Sequence, residues 1–198
     1  MSLFSHRPPA DVRHRLQLPH GDSLLVAVRL PDDRWAVATR QALHLVPVAG
    51  EPSRVPWSTI ERGTLDTPTH TLTVHWVTGA TVALELPEDA DGKAFARTFR
   101  ERVQQSVVHT TSVRVPGGGQ VQVALRRDEG GELFTQVLGG PGIDLGDPRV
   151  LSALEDAEDR VREAAGLRDV PHTRGPATGE ERRGDGGVPP HRLSGGDE

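Results

Sequence analysis

Between Ser23 and Leu86 apolar residues recur at every second position in short runs, and this two-residue period limits the available folds more than anything else in the chain. Leu24, Val26, Val28 and Leu30 share one face of a strand, because successive side chains point to opposite sides. Pro31-Asp32-Asp33 ends that run as a turn. Trp35, Val37 and Thr39 then alternate with Ala36 and Ala38, Arg40-Gln41 reverses the chain, and Leu43, Leu45 and Pro47 continue on a third strand. After a loop at 49–53, Arg54-Val55-Pro56-Trp57 leads into Ile60 and Leu65, an edge strand whose Pro56 sits where no ladder donor is needed. Leu72, Val74 and Trp76 form the next run, and Val82, Leu84 and Leu86 follow past the turn Thr78-Gly79. Six strand signals separated by hairpin-sized gaps predict antiparallel packing as a sandwich or barrel.

The period then changes to that of a helix. Phe95, Phe99, Val103 and Val107 recur every four residues with charged residues between them, which predicts an amphipathic helix capped by Asp91 and running to about Val107. Its two Phe residues are expected to plug an open barrel end. A second β region follows. Val113 and Val115 lead to Gly117-Gly118-Gly119; Val121, Val123 and Leu125 form the next run; Gly130-Gly131 turns the chain into Leu133, Thr135 and Val137. Asp147-Pro148 starts a second helix whose stripe is Val150, Leu154, Ala157, Val161 and Ala164, and Gly166 ends it. Its polar face carries Glu155, Asp156, Glu158, Asp159 and Glu163 against Arg160 and Arg162, and reads as solvated. Residues 1–21 read as an irregular arm lying on the domain through Val12, Leu16 and Leu18. Residues 166–198, with 8 Gly and 4 Pro and no aromatic, read as a disordered tail.

Composition narrows the function classes. Leu, Ile, Val and Phe total 48 of 198 residues, enough to build a core. The absence of Cys excludes disulfides and Cys-ligated metals and fits a cytoplasmic address. No apolar run or leader predicts a membrane span or secretory signal. A formal charge of −5 argues against nucleic acid as a partner. All basic residues but Lys93 are Arg, which codon usage in a GC-rich genome explains, since they are scattered along the chain. Among chemical motifs, His70 and His75 are an odd number of residues apart, on opposite strand faces, and cannot chelate together. Neither a nucleophile elbow, a phosphate loop nor a dinucleotide fingerprint occurs, because the glycine runs join strands to strands. The sequence therefore predicts no catalytic residue, no metal site and no cofactor.

The runs WAVATRQALHLV, RVPWSTIERGTLD and TLTVHWVTGATVALELP, followed by a Phe-bearing helix, resemble the bacterial PH-like (GRAM-related) domain. Thr39, Leu43, Leu45, Pro56, Trp57, Ile60, Gly79, Phe95 and Phe99 match that family's pattern; Trp35 and Trp76 join Thr39, Pro56, Trp57, Ile60, Phe95 and Phe99 as its structural signature here. The chain as a whole is also similar to uncharacterised actinobacterial proteins. The resemblance implies an α+β chain: a PH-like antiparallel β-barrel at 22–107, partly open and closed by a helix around three core Trp residues, then a β-β-β-α extension at 108–165. It also implies binding of peptides, proteins or lipid headgroups. The favoured expectation is a cytoplasmic, non-enzymatic protein-binding module whose partner is another protein. One alternative is a peripheral membrane binder of anionic lipid headgroups, with Arg97, Arg100, Arg102 and the arm's Arg7, Arg13 and Arg15 as its cations. Against it, Asp32 and Asp33 occupy the loop where lipid-binding members place cations. The other alternative is an enzyme whose site lies between the two β regions, where His75, His109, Arg114 and Asp144 would meet.

Overall fold

A computed structural model of the chain describes residues 7–167 apart from 118, 140–142 and 145. The predicted disordered tail lies outside the described residues from 168 onward. Four strands, β1 (Leu24–Arg29), β2 (Trp35–Thr39), β3 (Ala42–Val46) and β4 (Ser53–Pro56), form an antiparallel sheet in sequential order. A second antiparallel sheet holds β5 (Ile60–Asp66), β6 (Thr71–Trp76) and β7 (Thr81–Glu85). Helix α2 (Ala90–Ser106) follows α1 (Ala10–Leu16) in helix order and packs on β1 and β5. The third sheet, ordered β10-β9-β8, comprises β8 (Val107–Arg114), β9 (Gln120–Arg127) and β10 (Leu133–Gly139), with α3 (Pro148–Ala164) packed on β8 and β9. The chain is thus an α+β protein with three antiparallel sheets and three helices among the described residues. No ladder joins the first two sheets, so the expected barrel is not closed.

The main core lies where both of those sheets meet α2. Val26, Val28, Leu30, Ala36, Ala38 and Leu43 come from the first sheet, Ile60, Leu72, Val74 and Leu84 from the second, and Phe95, Phe99 and Val103 from α2. Phe95 and Phe99 are 0% and 2% exposed, as the four-residue period requires, and each contributes about 1.5–3 kcal/mol through burial. A separate cluster sits between the third sheet and α3.

Several expectations need correction. The arm is not irregular throughout: α1 places Val12 and Leu16 on the outer face of the first sheet, against Ala27, Val37 and Val46. Trp35 packs with that outer cluster and not in the main core. A β-bulge between Leu24 and Val26 likewise turns Leu24 outward, although Val26 and Val28 stay inside. The run from Arg54 to Leu65 is two strands, because Trp57–Thr59 forms a 3₁₀ turn after Pro56 and carries the chain from one sheet to the next. Leu65 is 44% exposed. The cap of α2 is Asp89, which accepts from the amides of Asp91 and Gly92 at 2.9 and 3.0 Å. On α3, Asp147 is the N-cap and Pro148 opens the helix as expected, but Ala164 is exposed and Ala165 takes its place against the core. Gly166, at φ 77°, donates to Glu163 O, while the Leu167 amide donates to Arg162 O: a Schellman closure. Glu158 and Arg162 are buried and do not belong to a solvated face.

Candidate functional site

Thr39, Pro56, Ile60, Trp76, Phe95 and Phe99 gather around Trp57, whereas Trp35 lies in the outer cluster. The Thr39 hydroxyl accepts from the Ala42 amide at 3.1 Å and lies 2.8 Å from Asp22 Oδ2, closing the β2–β3 turn. The Trp57 indole N–H donates to Thr39 O at 3.0 Å, tying the 3₁₀ turn to the end of β2. Its ring meets Phe99 edge-on, with centroids 5.7 Å apart and planes at 77°. Pro56 ends β4 opposite Ala42, and Ile60 pairs with a partly buried Trp76. Phe95 completes the core beneath them. These eight residues, Trp35 included, support the scaffold; none offers exposed reactive chemistry.

Accessible surface of a distinctive kind lies on the other side of Phe99. Between β5 and α2 runs a trough of about 860 Å³. Its floor is apolar: Gly63, Leu65, Leu72, Phe99, Val103 and Val107. Gly63 suits this position, because a Cβ here would clash with the edge of the Phe99 ring. The trough's rim is basic. Lys93, Arg97 and Arg100 come from successive turns of α2 and Arg62 from β5, against the single carboxylate of Glu61, which Arg62 contacts at 2.6 Å. Strand β5 is also the end strand of its sheet, so one of its backbone edges has no partner strand among the described residues. An open edge beside an apolar trough can accept an extended chain through main-chain hydrogen bonds, with alternate side chains entering the trough.

The loop linking β1 and β2 has a different character. Arg29 pairs with Asp33 at 2.6 Å and Arg34 with Asp32 at 2.6 Å, so each of its cations already faces a carboxylate. The Arg34 guanidinium holds Asp32 below the usual carboxylate range.

The four groups suggested for an enzyme do not all gather at one point. His109 and Arg114 lie five positions apart on β8, on opposite faces and about 17 Å apart along the strand. His75 is at the end of β6 opposite Thr81, and Asp144 accepts from the Gly146 amide at 2.8 Å in the turn before α3. Among the described residues no three potential metal ligands cluster. No helix among them is long and apolar enough to cross a membrane.

The two β regions do meet, through a residue the sequence reading passed over. Arg126 on β9 is 1% exposed, and its Nη1 donates to Ser58 O at 3.2 Å and Ile60 O at 2.8 Å and reaches Ser106 Oγ at 3.4 Å. Burial pushes its pKa down, partly opposed by Glu61. A second tie lies at the surface, where Arg54 donates to both oxygens of Glu129 at 2.8 and 2.5 Å. An arginine within an alternating strand gives no sign in sequence that it will be buried; only the fold brings Ser58, Ile60 and Ser106 to it. No family model, curated protein or solved structure matches the chain.

Proposed function

We propose that the chain is a non-enzymatic, protein-binding module on a PH-like scaffold, and that it takes an extended acidic peptide segment of a partner protein along β5. The scaffold reading draws support from the order of a four-stranded meander, a three-stranded meander and a helix that buries two Phe between them. The observation that carries the binding role is the open edge of β5 beside the apolar trough. Strand addition supplies affinity through the backbone, while Leu65, Leu72 and Val107 receive aliphatic side chains at every second peptide position. Charge selects the partner, because Lys93, Arg97, Arg100 and Arg62 outnumber Glu61 around the rim. Anionic lipid is disfavoured by the paired cations of the β1–β2 loop.

The test is fluorescence anisotropy with labelled ten-residue peptides that alternate Asp or Glu with Val or Leu. Saturable binding that weakens about tenfold or more in the double variant Arg97→Glu/Arg100→Glu is the expected result. Equal binding of peptides with Lys in place of the acids would refute the proposal.

A further inference from the structure

A second recess lies away from β5, where the two β regions face one another. It encloses about 320 Å³ and is bounded by the β2–β3 turn, the 3₁₀ turn, the last turn of α2 and the β9–β10 turn. We infer that this cleft binds the dianionic phosphate group of a small soluble phosphomonoester, gripped by Arg40, Arg102 and Arg127.

The charge inventory of the cleft is the first support. Arg40, Arg102 and Arg127 all line it, and none has a carboxylate partner among the described residues. Two acids also line it, but both are engaged. Glu129 is held by both Nη atoms of Arg54, and Asp128 Oδ1 accepts the Glu132 amide at 2.8 Å within the β9–β10 turn. With Glu129 neutralised by Arg54, three guanidinium groups against Asp128 leave two positive charges unbalanced, the complement of a dianion. Guanidinium forks match phosphate oxygens with paired N–H donors.

Arg102 Nε is buried and has no hydrogen-bond partner, and Arg126 Nε is likewise without one. Buried donors are normally satisfied, so a lining guanidinium whose Nε has no partner inside the protein retains hydrogen-bonding capacity for a ligand through its accessible nitrogens. Arg126 is not in the lining. It stands behind the wall, because Ser58 and Ser106, which do line the cleft, accept its Nη1. Its charge therefore adds to the positive potential felt inside a low-dielectric recess.

Size and surroundings select the source of the phosphate. A volume of about 320 Å³ is at the small end for ligand pockets and leaves room for a phosphate with a short carbon body. Among the described residues, none of the exposed large hydrophobic side chains, Leu25, Val48, Leu65 and Val108, lines the cleft, which favours a soluble phosphate source over a membrane-borne one.

Calorimetric titration of the whole chain with glycerol 3-phosphate and with inorganic phosphate, at constant ionic strength, tests the inference. Arg40 and Arg127 are exposed, so Arg40→Gln and Arg127→Gln preserve the fold, which melting curves verify. Saturable binding is expected, weakened about tenfold by each substitution and less by Arg127→Lys, which keeps the charge but loses the fork. A parallel arm uses phosphatidylcholine vesicles containing phosphatidic acid, which presents the same phosphomonoester on a membrane. Absence of saturable binding at millimolar ligand, binding indifferent to both Gln variants, or binding to the vesicles without binding to either soluble compound would each overturn it.

Discussion

At the scale of single residues, two positions show how local chemistry and global packing disagree. His44 is 1% exposed on β3, with Nε2 buried and unpaired. Burial, reinforced by Arg54 and opposed by Asp22 and Glu129, holds its pKa below the usual value. The unfolded chain therefore binds this proton more readily than the folded one. The stability it contributes is complete above the unfolded pKa of about 6.5 and is lost as pH falls from there towards the folded value. Melting temperature should drop between about pH 7 and pH 5, and His44→Gln should flatten that part of the profile. Gly63 is the second case. Its exposed strand position suggests tolerance, yet the ring of Phe99 occupies the space a side chain would need. Gly63→Ala should destabilise the protein by about 1–3 kcal/mol in urea unfolding, the usual cost of overpacking. Neither effect is visible in sequence, because each depends on a neighbour brought in by the fold.

Elements were legible where their signals are local. The alternation from Leu24 to Leu86, the Phe95–Phe99 spacing and the Asp147-Pro148 start all depend on residues within one or two turns of each other, and the corresponding strands and helices form. Less was readable where a signal is weak or tertiary. Helix α1 begins after Pro9 with no side-chain cap and spans 7 residues, too little for a period to stand out. Trp35 alternates correctly, but alternation alone does not say which face meets the main core, and α1 covers the other one. The 3₁₀ turn at Trp57 hides between two strands whose apolar residues read as one run. Capping is a local matter that can be tested directly: Asp89→Ala should remove two hydrogen bonds at the start of α2 and cost about 1 kcal/mol by chemical denaturation. No loss of stability would mean that Asp89 does not cap the helix in solution.

For the whole molecule, the organising contact is the one between the two β regions. Arg126 serves three acceptors from Ser58, Ile60 and Ser106. Arg126→Ala should cost roughly 1–3 kcal/mol for the acceptors left unpaired, with calorimetry showing a broader transition as the regions lose their coupling. An unchanged, single sharp transition would show that the regions are held together by other contacts. The candidate sites share this long-range origin: the trough needs Leu65 and Leu72 beside residues of α2, and the cleft needs turns from both β regions. Sequence periodicity marks the strand and the helix that form the trough, and the run through Pro56 to Leu65 already reads as an edge strand, but nothing local shows that α2 lies along that strand. That open edge is the centre of the functional reading, and amide hydrogen exchange on β5 examines it most directly. With an acidic, alternating peptide bound, the amides on the outer edge of residues 60–66 should become protected while those paired to β6 change little. A peptide that binds yet leaves every β5 amide exchanging at its free rate would contradict strand addition at this edge.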